Sequence, residues 1–188
     1  MKTDTPAVAT FLGYALNDAW VEEAPDKNHY RISLASQSKE YVEDFADALR
    51  RMGFDGTGDS PEPKIHYNDT KDVWQANLAS KELVDWLKGL NRLAIGEIVH
   101  KWPREYLRSA YDANGSVAET RPGRLSLRYG MGERWLVELF MELLQSVRGY
   151  QVAFWRSNDV YYCAVNNQDQ VMDFLDWVKP IYKVPKKD

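Results

Sequence analysis

The sequence has few of the residues that disulfide frameworks, metal clusters and membrane segments require. Its single cysteine, Cys163, cannot form an internal disulfide, and its apolar, strand-like surroundings predict a buried core thiol. The three histidines, His29, His66 and His100, lack the spacing of metal ligands. No apolar run reaches the ~18–20 residues that span a bilayer. The first residues also lack the order of a signal peptide. We therefore expect no membrane association and a location inside the cell, in the cytoplasm, the nucleoid or an organelle matrix.

The sequence also lacks two features that would point to particular functions: a recognisable catalytic or phosphate-binding motif, and an excess of basic residues. The glycines between Gly53 and Gly58 are not followed by the lysine and helix start of a phosphate-binding loop, and no nucleophile triad is visible. A basic excess is also missing, because the net charge is −4 and the isoelectric point about 5.5. The charge is unevenly distributed, however: residues 1–95 contain 11 basic and 16 acidic side chains, and residues 96–188 contain 13 and 12. The average charge therefore does not exclude a local surface for nucleic acid.

The chain contains two copies of one polar-tipped helix. The first reads FLGYALNDAW from Phe11 to Trp20, and the second reads YLRSAYDANGSV from Tyr106 to Val117. Asp18 and Asn114 occupy matching positions about half a chain apart. In both halves the hydrophobic periods give the order helix, strand, strand, helix, strand, strand, helix. We therefore predict an α+β fold of two pseudo-symmetric αββαββα halves, residues 1–95 and 96–188, joined by a linker at 91–103.

The element bounds follow from apolar periodicity and from helix-capping residues such as Ser38 and Ser80. The predicted helices are 8–18, 39–52, 81–90, 103–114, 133–148 and 171–179. The predicted strands are 20–24, 30–36, 64–67, 73–79, 124–129, 151–155 and 160–166. The carboxylates of the two long helices, Asp44 among them, are expected on solvated outer faces.

Alternation along the strands predicts that one face of the sheets is polar. Its members are Arg31, Ser33, Lys64, His66, Gln75, Asn77, Arg124, Ser126, Arg128, Gln151, Trp155, Tyr162 and Asn166. Side chains of these types suit base edges and phosphates, which makes them candidate DNA contacts. A sheet with one solvated face and no ligand fits the same pattern equally well.

The two motif segments, together with the repeated element order, resemble the LAGLIDADG homing endonucleases. The second copy, Tyr106 to Ser116, is close to the family's pattern, whereas the first, Leu12 to Ala19, is degraded. The resemblance covers nearly the whole chain and is closest to the monomeric, two-motif members. It implies a saddle of antiparallel sheets with helices on the outer face, a monomer, and a long asymmetric site in double-stranded DNA.

The resemblance also implies the roles of individual residues. Acids at positions 18 and 114 bind divalent metal, Mg²⁺ or Mn²⁺, beside the scissile phosphates, and the adjoining positions Ala19 and Gly115 belong to the same ligand set. Gln37 and Arg128 are the nearest candidates for the groups that hold solvent and phosphate charge. Small residues such as Gly13, Ser109 and Ala113 would let the two motif helices pack closely.

Position 114 departs from the family pattern, because asparagine replaces the expected acid. An amide oxygen can still bind a metal, but the site loses one negative charge. Asp112 is not an obvious substitute, since two residues along a helix correspond to about 200° around its axis. Asn114 is either an engineered change that traps uncleaved DNA or a native residue in a weakened, nicking or purely binding protein.

The sequence is compatible with three functions. The first is a site-specific, metal-dependent DNA endonuclease, encoded by a mobile intron and attenuated by Asn114. The second is a non-cleaving nucleic-acid-binding relative, such as a maturase that binds intron RNA. The third is an α+β domain that binds a small molecule or a protein. Salt dependence separates the first two from the third, because affinity that comes from phosphate contacts falls steeply with salt.

Overall fold

The computed structural model describes residues 1–121 and 123–183, which form seven α-helices and eight strands. The helices are α1 (Pro6–Ala15), α2 (Lys39–Arg51), α3 (Lys81–Gly89), α4 (Arg92–Lys101), α5 (Pro103–Asn114), α6 (Arg134–Arg148) and α7 (Gln168–Val178). The strands are β1 (Trp20–Ala24), β2 (His29–Ser36), β3 (Lys64–Asn68), β4 (Val73–Ala79), β5 (Gly115–Arg121), β6 (Arg124–Met131), β7 (Val152–Ser157) and β8 (Val160–Val165). No helix in this part of the chain has both the length and the apolar character needed to cross a bilayer.

Local sequence signals set most helix ends. The hydroxyl oxygen of Ser38 accepts a hydrogen bond from Tyr41 N at 3.2 Å, which satisfies a free N–H group at the start of α2. Ser80 caps α3 in the same way, by accepting from Leu83 N. Gly149 adopts φ 67° directly after α6, a left-handed conformation that glycine takes without a steric penalty.

The eight strands form two antiparallel sheets of four, in the orders β1-β2-β4-β3 and β5-β6-β8-β7. The two orders are identical once the second half is counted from its own first strand, so the halves share one topology. This arrangement confirms the predicted α+β fold of two pseudo-symmetric αββαββα halves.

One face of each sheet packs against the helices. The buried members of that face are Ile32, Leu34, Ala76 and Leu78 in the first sheet and Leu127, Tyr129, Cys163 and Val165 in the second. Burial raises the pKa of the Cys163 thiol to about 12, so it stays a neutral core group, as the sequence predicted. We call the opposite side of each sheet its open face, which residues such as Asn77 and Tyr162 share by strand alternation.

The main corrections to the sequence-based bounds concern the linker, α1 and β5. The predicted linker contains a complete helix, α4, whose first turn is capped by Asn91 Oδ1 accepting from Ala94 N at 2.9 Å. The predicted boundary between residues 95 and 96 falls inside this helix and stays a prediction. α1 ends at Ala15 rather than at residue 18. The strand β5, which begins at Gly115, had not been predicted.

The two halves meet where α1 packs directly against α5. A Cβ atom at Gly13 would lie 1.9 Å from Ser109 Oγ, 2.8 Å from Tyr106 O and 2.9 Å from Ala110 N. Two of those three atoms belong to the α5 backbone and cannot move independently of it. The helices therefore approach to a distance that only glycine at position 13 permits, as expected for small residues at a close helix contact.

An ion pair also joins the halves beside this contact. Arg108 of α5 donates two hydrogen bonds to the Asp44 carboxylate of α2, at 2.8 and 3.2 Å, and Tyr14 OH donates a third at 2.8 Å. The side chains of Arg108 and Asp44 are 19% and 16% exposed. The expectation that Asp44 lies on a solvated face is therefore wrong, because the second half covers that part of α2.

Gly13→Ala tests the helix contact. We expect it to lower the free energy of unfolding by about 2–3 kcal/mol, because the added methyl group overpacks a backbone contact. Gly96→Ala is the matched control, since a Cβ atom at that position in α4 would meet nothing within 4 Å. It should raise stability by about 0.5–1 kcal/mol through helix propensity. Equal stability of the two variants in chemical denaturation would contradict the close contact.

Candidate functional site at the helix tips and open faces

The first helix tip is a turn rather than a continued helix. The N–H groups of Leu16, Asn17 and Asp18 bond back to carbonyl groups of α1, with Asp18 N 2.9 Å from Tyr14 O. The chain then enters β1 at Trp20. In the second half, by contrast, α5 continues to Asn114 and β5 begins at the next residue. Asp18 and Asn114 therefore hold matching sequence positions in different local backbones.

Asn17 joins the two tips. Asn114 Nδ2 donates to Asn17 Oδ1 at 3.3 Å, and Tyr129 OH donates to the same oxygen at 2.6 Å. Asn17 Nδ2 in turn donates to Gly13 O at 2.7 Å. Asn17 is larger than the small residue expected here, and it uses this size to bridge the halves. Asn114 thus contacts the residue next to Asp18, and we call this group, with Tyr41, the helix-tip site.

Asp18 supplies an exposed carboxylate to the helix-tip site. Its Oδ2 accepts a hydrogen bond of 2.6 Å from Tyr41 OH, which fixes the carboxylate relative to α2. Burial and the bonded Asp18 carboxylate raise the pKa of Tyr41, so this phenol remains a neutral donor. The tyrosine had not been identified from the sequence, where its position on α2 indicated only a core side chain.

Asp112 is buried, and its carboxylate binds backbone rather than the groups of the helix-tip site. Its two carboxylate oxygens accept hydrogen bonds from the backbone N–H groups of Ile181, Tyr182 and Lys183, at 2.9, 3.0 and 3.1 Å. Burial raises the pKa of Asp112, and the three N–H donors oppose that rise. We call residues 181–183 the C-terminal strap, because Asp112 ties them to α5.

The strap brings Lys183 to the end of α5. Lys183 Nζ donates to Ala113 O at 2.5 Å, which satisfies one of the carbonyl groups left free at the helix end. Burial lowers the pKa of Lys183, whereas the carboxylates of Asp18 and Asp112 favour its charged form. No sequence signal had identified this lysine, because only the strap's contact with Asp112 carries it to the site.

The oxygen atoms at the two helix tips suit one hard metal cation better than two. Asp18 offers one carboxylate, and Asn114 offers an amide oxygen while its Nδ2 is bonded to Asn17. The described residues contain no cluster of three or more His, Cys, Asp or Glu side chains that could hold a metal. Mg²⁺ commonly binds through one or two carboxylates and keeps several waters, so Asp18 and Asn114 fit one such ion.

The predicted residues of the open faces differ in exposure. Lys64, His66, Arg124, Arg128, Gln151, Trp155 and Asn166 are exposed, and Arg31, Gln75, Asn77 and Tyr162 are half-buried. Ser33 and Ser126 are fully buried, and their role as DNA contacts stays a prediction. Ser33 is paired with Trp20 and Asn77 on the flanking strands, and Ser126 donates to Asn166 Oδ1 at 2.8 Å. Larger neighbours therefore cover both serines.

The two open faces carry different chemistry. In the first sheet His66 lies opposite Gln75 and Lys64 lies opposite Asn77, which gives hydrogen-bonding groups. In the second, Trp155 lies opposite Tyr162 and the two rings stack at 5.4 Å with an interplanar angle of 13°. A Cβ atom at Gly130 would lie 2.6 Å from the Tyr162 ring, so glycine leaves room for this ring. The second face therefore offers a flat aromatic surface.

The strand β1, on the edge of the first sheet, adds two residues that had not been assigned to the open face. Trp20 and Glu22 share the open face with Ser33 and Arg31, their partners in register. Trp20 Nε1 donates to Glu22 Oε1 at 2.9 Å, and Arg31 Nη1 lies 3.6 Å from Glu22 Oε2. Arg31 thus faces a carboxylate, which reduces the positive charge that this edge presents.

Gln37 and Arg128 remain candidates for groups that act at the scissile phosphates. Gln37 is exposed in the bend between β2 and α2. Arg128 is exposed on β6, opposite Ser116, which follows Asn114 by two residues. Arg128 therefore lies on a strand close to the second helix tip.

Asp112→Asn tests the strap. One carboxylate oxygen becomes an NH₂ group that faces a backbone donor, so we expect about 1–3 kcal/mol lower stability from the unpaired N–H groups. Cleavage after Lys183 in limited proteolysis should become faster at temperatures well below global unfolding. Asp176→Asn, at an exposed position of α7, provides the control. An unchanged rate of cleavage at Lys183 would show that Asp112 does not hold the strap.

Comparisons with known proteins agree with this fold. Residues 5–89 match the family model described as a LAGLIDADG-like domain. A structure of mesophilic variants of the homing endonuclease I-DmoI is 17% identical, with a TM-score of 0.70 over 92% of this chain and 90% of that one. I-DmoI in complex with DNA and Mn gives 16% identity and a TM-score of 0.69, over 92% and 96% of the two chains.

A second group of similar structures comes from a different protein. The N-terminal LAGLIDADG domain of DUF199/WhiA is 11% identical, with a TM-score of 0.60 over 97% of this chain and 83% of that one. Full-length DUF199/WhiA from Thermatoga maritima is 10% identical, also at 0.60, over 94% of this chain and 56% of that one. The search of curated proteins gives no match. At these identities the similar structures establish the fold.

Proposed function

We propose that the chain is a two-motif protein of the LAGLIDADG family, which binds a long asymmetric site in double-stranded DNA and hydrolyses it weakly with a divalent metal. The observation that carries this proposal is the exposed Asp18 carboxylate next to Asn17, the residue that Asn114 contacts, in a protein whose two sheets have polar side chains on their open faces. The similar I-DmoI structure with DNA and Mn supports the same substrate and cofactor class.

Asp18 and the amide oxygen of Asn114 would hold the metal, Mg²⁺ or Mn²⁺, with the backbone at Ala19 and Gly115 completing the protein ligands. When bound, such an ion supplies charge stabilisation at the phosphodiester and activates water. Tyr41 orients the Asp18 carboxylate through its 2.6 Å hydrogen bond. Gln37 and Arg128 would hold solvent and phosphate charge around the reacting group.

Each open face would lie in one stretch of the major groove and recognise the DNA there. His66, Gln75, Asn77 and Lys64 can exchange hydrogen bonds with base edges and phosphates. Trp155 and Tyr162 suit apolar contact, such as that with a thymine methyl group, and Arg124 and Arg128 suit phosphates. Since the two faces differ, the DNA site that they recognise is asymmetric. Since one chain carries both faces, a monomer is enough to bind the whole site. A DNA substrate also implies action inside the cell.

A non-cleaving relative is the second candidate. It is favoured by Asn114, which leaves the tips with fewer carboxylates than two metals need, and by the similarity to the LAGLIDADG domain of DUF199/WhiA. An intron-RNA-binding maturase belongs to this group. Competition between duplex DNA, single-stranded DNA and structured RNA separates these partners, because the proposed endonuclease prefers duplex DNA.

Asn114→Asp tests the cleavage proposal. A cognate duplex would first be selected from a randomised pool of ~20 base pairs, the length that two platforms one helical turn apart can span. The restored carboxylate should raise Mg²⁺-dependent double-strand cleavage at least about tenfold, a barrier change of ~1.4 kcal/mol. Asp18→Asn should abolish cleavage in both backgrounds while leaving duplex binding measurable. Equal cleavage by the wild type and Asn114→Asp would defeat this role of position 114.

Arg128→Ala tests the open-face interface. We expect weaker duplex binding and a log–log salt slope reduced by about one, as for the loss of one phosphate contact. Arg51→Ala is the matched control, because Arg51 is an exposed arginine on α2, on the helical side of the molecule. Fluorescence anisotropy at several salt concentrations measures both slopes. The same slope for Arg128→Ala and the wild type would exclude a phosphate contact.

A further inference from the structure

The C-terminal strap is built into the helix-tip site from two sides. On one side, three backbone N–H groups of the strap bind Asp112 of α5. On the other, the Tyr182 ring lies 5.6 Å from the ring of Tyr41, whose hydroxyl donates to Asp18. Lys183 therefore reaches the site on a segment anchored to both halves of the protein.

The helix-tip site needs a positive charge before it can accept a phosphate. The C-terminal ends of α1 and α5 both lie there, and the aligned peptide dipoles give a helix C-terminus a partial negative charge. Asp18 adds a full negative charge. A DNA phosphate at this position would be repelled unless a cation lies between, and Asn114 offers none.

Lys183 has the position and the unused donors for this task. Its ammonium group has three N–H donors, of which one binds Ala113 O at 2.5 Å. The other two have no partner within residues 1–121 and 123–183. Lys183 is half-buried, so the group is held by the protein and still reaches the surface. Capping of α5 alone would use the first donor and leave the other two without a role.

We propose that Lys183 is the resident cation of the helix-tip site and binds the DNA phosphate nearest Asn114, so that duplex binding does not require a divalent ion. The inference rests on the proposed function and deepens it. It gives the two tips different means of balancing charge: a metal on the side of Asp18, and the lysine on the side of Asn114.

The test measures duplex affinity by fluorescence anisotropy with EDTA and, separately, with Ca²⁺ as the probe ion. The wild type should bind with affinities within about twofold in the two conditions. Lys183→Met should lose about tenfold in EDTA, equivalent to ~1.4 kcal/mol, and regain most of it in Ca²⁺, because the ion can replace the missing charge. Lys183→Arg should stay close to the wild type in both.

Lys179→Met is the matched control, because it removes the same charge from an exposed residue that follows α7. It should bind as the wild type does. Two outcomes for a folded Lys183→Met protein would overturn the proposal: wild-type affinity in EDTA, or an equal loss in EDTA and in Ca²⁺. The second would mark Lys183 as an ordinary phosphate contact that no metal ion replaces.

The proposal stays testable if Lys183→Met fails to fold, which thermal unfolding would reveal. A wild-type protein that binds duplex only with Ca²⁺ would overturn it without any variant. Binding of no duplex by any variant at low salt would overturn the proposed function, and this inference with it. Divalent-dependent binding by the wild type would overturn the inference alone.

Discussion

The direct contact of α1 with α5 is the constraint on which the rest of the molecule depends. Because Gly13 has no side chain, the α5 backbone at Tyr106 and Ala110 can approach it closely. That approach aligns the ends of the two helices and brings Asn114 within hydrogen-bond distance of Asn17. The partly buried Arg108–Asp44 pair then ties α2 of the first half to α5 of the second. The two helix tips are thereby held in a fixed position relative to each other.

The two helix tips hold matching sequence positions, but their side chains differ in charge. Asp18 is charged, exposed and oriented by Tyr41, whereas Asn114 is neutral and uses its amide nitrogen to bridge to Asn17. Asp112 does not compensate, because its carboxylate is committed to the strap. The strap instead brings Lys183 to the end of α5. A pseudo-symmetric backbone thus presents an asymmetric distribution of charge.

The same divergence appears on the open faces. The first sheet presents His66, Gln75 and Asn77, which exchange hydrogen bonds, while the second presents the stacked pair Trp155 and Tyr162. Gly130 leaves the space that the Tyr162 ring occupies. A duplex lying across both sheets would meet polar groups on one side and flat aromatic rings on the other, so the two ends of its site would be recognised differently.

The sequence by itself determined the repeat, the α+β class and nearly all the elements, because periodicity and capping residues are local. It could not show that Asp44 is covered, that Ser33 and Ser126 lie beneath larger neighbours, or that Tyr41 binds Asp18. Those facts depend on contacts between residues far apart in the chain. Only the tertiary structure decided that Lys183 belongs to the helix-tip site, because its position follows from the hydrogen bonds that the strap makes with Asp112.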